Sequence, residues 1–431
     1  MNDDVASVQT GDDDHVVVGT KSATTLLREL RDIRCANVEL QQLDFSNCMP
    51  TLKEYIRSME CLTNLAITTS SFGGTEGIGE FFVSLYRNMT IETLLLFGID
   101  ELESSGSALR DLIRRNKSMQ NLSFSCNDLN ACSRFIAQGL QQNKTLRNIT
   151  FDGCNLHDTN FQEIVSAISS DRCGVQELLT NDNPLTILSL LQALDVTKGK
   201  NATLRSLYFG FSNKVFTEDS GEWDKVVRFV EGENRTTTNL RDFSLEGCDI
   251  PHDACQSLIK ALEKNTFLNF FAIDIESESS LLQLLETLPK IKSLSQLVIS
   301  NYAIVSSLNN FEAELVNVID KNKSLYRFKF ESFIDAEPLS DKAQRKIQFC
   351  LCRNRLDSFF LAPGTMFRNR MLPFVFRDLF EFDAGPSAVY YVLRKKIDIV
   401  PQRVAKRRGQ RNHDMFVDES IRRRCSRFEY L

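Results

Sequence analysis

The sequence predicts an α/β solenoid of about 12 stacked repeats, with a curved parallel β-sheet inside and helices outside. Three observations carry this. A pattern of apolar residues returns roughly every 29 residues. Each return opens with a short period-2 alternation, the signature of a strand with one buried face. A stretch with apolar residues three and four apart then follows, and it closes near an Asn.

Composition sets the frame. The chain has 431 residues, 42% of them hydrophobic and 25% charged, as in ordinary folded protein. Its length exceeds the roughly 250–300 residues at which one core stops growing, so a stacked array or several domains are required. No apolar run approaches the roughly 18–20 residues of a membrane span, and the acidic start does not read as a signal peptide. The net charge of −6 argues against nucleic-acid binding through the repeats. The 12 cysteines are too sparse for a disulfide scaffold and are expected as thiols in an intracellular, cytoplasmic protein.

From the N-terminus, residues 1–20 are expected to be an acidic disordered tail. Residues 21–39 form an N-terminal cap whose helix, Thr24 to Arg34, places Leu26, Leu27, Leu30 and Ile33 on one side. The solenoid then runs over 40–361. Met119-QNLSFSCNDL, Leu146-RNITFDGCNL and Leu240-RDFSLEGCDI share one apolar-x-x-apolar-x-apolar-x-x-Asn/Cys-x-apolar template. The same template starts at Leu40, Leu62, Ile91, Val175, Leu204, Leu268, Leu294, Leu325 and Leu356. Cys48, Cys154 and Cys248 are expected at one equivalent buried position of it. The unit from Leu204 carries an insertion containing Trp223. Helices are expected to stop at Asn88, Asn116, Asn143, Asn234, Asn265, Asn322 and Asn354, because Asn tolerates a left-handed conformation.

This unit resembles the leucine-rich repeat of ribonuclease-inhibitor type, over about residues 40 to 361. The resemblance implies a horseshoe and a binding role without naming a partner. Residues 362–401 are expected as a C-terminal helical cap and are similar to the end of diatom-type leucine-rich repeat proteins. Residues 402–431 form a basic tail. From Arg394 onward there are 12 basic and 5 acidic residues, with clusters at Lys395-Lys396, Lys406-Arg407-Arg408 and Arg422-Arg423-Arg424 that allow nuclear import.

Motifs for chemistry are weak. Phe72-GGTEGIG stands between a strand and a helix but lacks the Lys-Ser/Thr of a nucleotide loop, so it reads as a turn. His157-Asp158 and His252-Asp253 recur where Asp would cap a helix. Cys350 and Cys352 lack the spacing of a zinc or redox site. Asn-x-Ser/Thr sequons, as at Asn88, Asn116, Asn143 and Asn322, follow the repeat and read as its grammar. No catalytic residue, cofactor or metal is expected.

The expected function is a non-enzymatic protein-interaction scaffold. The alternative is a Ran-type GTPase-activating protein, whose repeats the chain also resembles but whose usual acidic C-terminal segment is basic here. Strand positions that face away from the core carry the acids Asp44, Asp152, Glu177, Asp242, Glu246, Asp274 and Glu331, against Arg327 and Lys329. The partner-binding stretch is therefore expected at Asp152, Glu177, Leu179, Tyr208, Asp242, Glu246, Phe270 and Asp274, facing a basic protein.

Overall fold

The computed structural model describes residues 15–18, 23–33, 35–198, 202–211, 220–232, 238–301, 308–332 and 339–361. Strands and helices alternate strictly. The first six pairs are β1 (His15–Val18) and α1 (Ala23–Ile33), β2 (Asn37–Gln41) and α2 (Met49–Ser58), β3 (Asn64–Thr68) and α3 (Thr75–Arg87), β4 (Thr93–Phe97) and α4 (Gly106–Arg115), β5 (Asn121–Ser125) and α5 (Ser133–Leu140), β6 (Asn148–Asp152) and α6 (Asp158–Ile168). The next three are β7 (Glu177–Asn183) and α7 (Ile187–Val196), β8 (Ser206–Phe211) and α8 (Ser220–Glu231), β9 (Asp242–Leu245) and α9 (His252–Lys264). The last three are β10 (Phe270–Ile275) and α10 (Glu278–Thr287), β11 (Gln296–Asn301) and α11 (Leu308–Lys321), β12 (Arg327–Ser332) and α12 (Asp341–Leu361).

All twelve strands join one sheet in chain order, each pair parallel. The chain divides into two compact units, Met1–Ile347 and Gln348–Leu431. The sheet belongs to the first. Of the second, the described residues are 348–361, the remainder of α12, among which Cys350, Leu351, Cys352 and Asn354 are buried.

Within the first unit, neighbouring strands lie about 4.8 Å apart, whereas packed helices need about 8–10 Å. A layered strand–helix stack therefore bends with its sheet on the inside. In the repeats of β2 to β11 the template's first, fourth and sixth residues are buried, as at Leu62, Leu65 and Ile67. Aromatic rings join repeats: Phe124 stacks on Phe151 with centroids 5.8 Å apart, and Phe45 meets Phe72 at 5.4 Å.

The ten templates from Leu62 to Leu325 coincide with β3 to β12, and the two ends of the array differ from the sequence reading. β2 begins at Asn37 and pairs Val38 with Leu65 and Leu40 with Ile67, so the first template starts at Cys35 rather than Leu40. Period-2 alternation admits either frame, and only pairing selects one. In the correct frame Leu43 takes the position of Cys154 and Cys248, and Cys48 instead precedes α2 as its N-cap residue. The unit expected at Leu356 is the end of α12, and the twelfth strand–helix pair is β1–α1, which enters the stretch expected to be an acidic tail. The expected C-terminal cap over 362–401 and basic tail over 402–431 lie outside the described residues, as do residues 1–14 and Asn234.

The helix-ending Asn residues work by hydrogen bonding rather than by a left-handed turn. Asn88, Asn116 and Asn265 have φ of −73°, −65° and −63°, all extended backbone. Each side chain spans two repeats. Asn116 Nδ2 donates to Leu85 O of the preceding repeat at 2.8 Å, and its Oδ1 accepts from Ser118 N and Met119 N at 2.9 and 2.7 Å. Asn88, Asn143, Asn265 and Asn322 repeat the arrangement. The sequon hydroxyl joins in: Ser118 Oγ donates to Asn88 O, and Ser324 Oγ to Ile291 O. A buried amide satisfied at both ends is costly to replace, which is why the motif recurs.

Left-handed backbone occurs elsewhere, at the residue seven beyond seven of the template starts. Gln42, Thr69, Gly98, Cys126, Gly153, Asp182 and Gly247 all have positive φ, between 44° and 76°. This turn lifts the chain off the inner sheet toward the helix layer.

Candidate functional site

The inward face of the sheet consists of three rows, one residue of each row per strand. Pairing fixes the rows: Glu177, Ser206, Asp242 and Phe270 are neighbours in the first, and Leu179, Tyr208, Ser244 and Ala272 in the second. Asp152 and Asn181 pair in the third row, and Asp274 pairs with Ser300. No inward position from β6 to β11 is Lys or Arg, whereas Arg327 and Lys329 stand at β12. The corrected frame removes Asp44 from this face and installs Glu39, which accepts a bond from Thr68 Oγ1 at 3.2 Å. Asp44 lies in the turn after β2, where it accepts from Ser46 N at 2.9 Å. Hydrogen bonds from the Ser46 side chain and backbone hold its carboxyl below the usual range.

The structure brings most of the expected residues together on β7–β10. Tyr208 leans across β9 onto Phe270, with ring centroids 5.9 Å apart and planes at 53°. The intervening strand leaves room because its second-row residue is the small Ser244. Ser206 Oγ donates to Asp242 Oδ2 at 2.8 Å, and Ser244 and Ser300 hydroxyls donate to Glu246. Burial, followed by the charge of Asp242, raises the Glu177 carboxyl. Burial and the nearby Glu177 and Asp242 charges push the Tyr208 phenol up to about 12. Asp152 is raised by burial and by Asp182. Glu177, Leu179, Tyr208, Asp242, Glu246 and Phe270 are half-buried, so part of each reaches the surface.

Asp274 departs from expectation. It is only 8% exposed, with Oδ2 accepting from Gly247 N at 2.7 Å and Oδ1 buried without a hydrogen-bond partner. Burial, opposed by the Gly247 bond and helped by the Glu246 charge, pushes it up to about 6. Its neighbours Ala272, Ser244 and Ser300 are also buried, so the burial is local to this part of β9–β11, while Asp242, Glu246 and Phe270 at β9 and β10 stay half-open like the inward residues of β2–β7. Asp274 thus braces the turn at Gly247 rather than offering an open carboxylate.

One contributor escaped the sequence reading. A Cβ on Gly210 would sit 2.8 Å from Glu246 O and 2.9 Å from Asn181 Oδ1. The β8–β9 ladder ends at Tyr208, and the missing side chain just beyond it is what lets Glu246 O and the Asn181 side chain come this close beside the aromatic pair. A glycine within an apolar alternation was the available signal.

The weak motifs resolve structurally. The donors of the Phe72 turn are taken by a carboxylate: Phe72 N and Ser71 Oγ both donate to Glu101 Oε1 at 2.9 Å. Burial works to raise Glu101, but hydrogen bonds from the Phe72 and Gly74 backbone and Ser71 outweigh it and leave the group lowered. Asp158 accepts from Thr186 N, Thr186 Oγ1 and Ser189 Oγ, so it serves the helix start of the following repeat. His252 sits among Ser277, Ser279, Ser280 and Gln256 in the same inter-repeat position. Among the described residues no group of three His, Cys, Asp or Glu side chains is arranged to hold a metal ion. No described helix is long and apolar enough to cross a membrane. No protein-family model matches the chain.

Proposed function

We propose that the chain is an intracellular leucine-rich-repeat scaffold of ribonuclease-inhibitor type that binds a basic protein or peptide on its inner sheet face, without catalysing a reaction. The observation that carries this reading is the Tyr208–Phe270 pair standing among Glu177, Asp242 and Glu246 on rigid strands. Aromatic anchors supply affinity, and acids of one sign steer an oppositely charged partner and fix its register. The raised carboxyls of Glu177 and Asp152 support it further, because a neighbouring cation would lower them again. The repeat identity is supported by the Asn or Cys that follows four of the turns, at Asn127, Cys154, Asn183 and Cys248. Asn127 Nδ2 donates to Leu96 O at 2.8 Å, and Cys154 Sγ donates to Phe124 O at 3.3 Å from the equivalent position.

The test is affinity capture from lysate with mass-spectrometric identification at low and high salt, using the wild-type chain and Tyr208→Ala/Asp242→Lys/Glu246→Lys. Basic partners should be captured by the wild type in a salt-sensitive way and lost by the variant, with an unchanged melting curve. Survival of every partner in the variant would place the site elsewhere. Acceleration of GTP hydrolysis by Ran in the presence of the chain would replace the non-enzymatic reading.

A further inference from the structure

The helix layer is loosened between α7 and α8. The repeat from Leu204 to the next start at Leu240 spans 36 residues against the usual 29 or so. The β7–β8 register shifts between Thr180 and Asn183, and α7 packs less closely on α8 than on α6. An open groove of about 450 Å³ lies between α7 and α8 on the helical side, away from the inner face. That volume falls within the roughly 300–1,000 Å³ of ligand-sized clefts.

The lining is divided by chemistry. Its floor is apolar, with Leu188, Leu191 and Leu194 from α7 and Phe229 from α8. Among the described residues only Met89, Leu188 and Leu282 are large apolar side chains left exposed, and Leu188, at 48%, lies here. Its wall is cationic. Lys225 and Arg228 are exposed on α8, and Lys198 stands 6.0 Å from the Phe229 ring centroid while pairing with Asp195. Gln192 completes the lining, and its Oε1 is sealed from solvent without a hydrogen-bond partner.

We propose that this α7–α8 groove docks an acidic amphipathic peptide segment of a partner protein, its Leu or Phe side chains on the apolar floor and its carboxylates on Lys225 and Arg228. The groove is open along two neighbouring helices, which suits a segment lying along it, as in helix-in-groove recognition. Its cations select the opposite charge from the inner face, so the two surfaces take different partners. This inference does not depend on the reading of the inner face.

The experiment uses fluorescence anisotropy with the full chain and a labelled helical peptide of about four turns, bearing Leu or Phe on one face and Asp or Glu elsewhere. Two comparators carry Lys in place of the acids or the same residues scrambled. The acidic peptide should bind at least about tenfold tighter than either comparator, and weaken as salt rises from about 50 to about 300 mM. Leu188→Asp and Lys225→Glu/Arg228→Glu should each weaken it about tenfold or more, while Tyr208→Ala leaves it unchanged. The substituted groove residues are exposed, and an unchanged melting curve will confirm folding. Protection of α7 and α8 amides from hydrogen exchange by the peptide gives a second readout. Scrambled peptide binding equally well, or variants with unchanged affinity, overturns the proposal. So does binding of anionic vesicles through the same residues without binding of the peptide.

Discussion

Replacing Asn116 with alanine tests the device that joins one repeat to the next. Asn116 is 2% exposed, and its amide reaches two repeats. Neither carbonyl it serves is orphaned by its loss: Leu85 O also accepts from Asn88 N, and Asn88 O from Ser118 Oγ. The damage therefore falls on Ser118 N and Met119 N, whose acceptor is Asn116 Oδ1. Each orphaned buried donor costs about 1–3 kcal/mol, and Ser118, only partly buried, gains some water. Asn116→Ala should thus lose about 2–4 kcal/mol, a large fraction of the roughly 5–15 kcal/mol typical of a folded protein. Urea denaturation followed by circular dichroism measures it, with the exposed Lys117→Ala as control, expected within about 0.5 kcal/mol of wild type. Indistinguishable midpoints for Asn116→Ala and Lys117→Ala would refute the account of the Asn ladder.

Two further outcomes follow from backbone and burial. Thr69 is exposed and held at φ +44°, where Gly98, Gly153 and Gly247 serve the equivalent turns, so Thr69→Gly should stabilise by about 1 kcal/mol in the same denaturation assay. A loss of stability would show that the Thr69 side chain contributes more than its strained backbone costs. The carboxyl of Asp274 titrates near 6 when folded and near 3.8 in the reference state, so between those values the folded chain holds a proton that the unfolded chain has released. Stability must then fall as pH rises through that window, by on the order of 2–3 kcal/mol. Asp274→Asn should remove that slope, matching wild type near pH 4 and exceeding it at pH 7.5 in thermal melts; parallel pH profiles would contradict the burial argument.

The fold was legible because its determinants are local and repeated. Each strand's alternation, each helix's stripe and each terminal Asn lie within one stretch of sequence, and repetition averages out exceptions such as the inserted repeat at Leu204. The ends were read less well for the converse reason. At the first repeat Val38-Glu-Leu40 and Leu43-Asp-Phe45 are equally good alternations, and only the pairing of Val38 with Leu65 chooses between them. Leu356 satisfies the strand template yet continues α12, since an apolar run alone does not separate a strand from a buried helix. The recurring Asn was recognised, but its physical role was not. Its side-chain partners lie about 30 residues away, as Asn116 to Leu85 shows, beyond the reach of turn propensities.

For the site, the same boundary separates direction from coverage. Period-2 geometry decides that Glu177, Leu179, Tyr208, Asp242, Glu246, Phe270 and Asp274 face away from the core, and the pairing brings them onto adjacent strands. It says nothing about what lies above them, because coverage depends on elements distant in sequence. Asp274 and Glu246 obey one rule of alternation, yet Asp274 is buried while Glu246 keeps partial exposure. The consequence is a division of labour within the acidic stretch. A basic partner can neutralise Glu177, Asp242 and Glu246 beside the Tyr208–Phe270 pair, whereas Asp274, braced by Gly247 N, makes folding rather than recognition depend on pH. Binding that tracks the Glu177 and Asp242 charges while stability tracks Asp274 is what this arrangement requires.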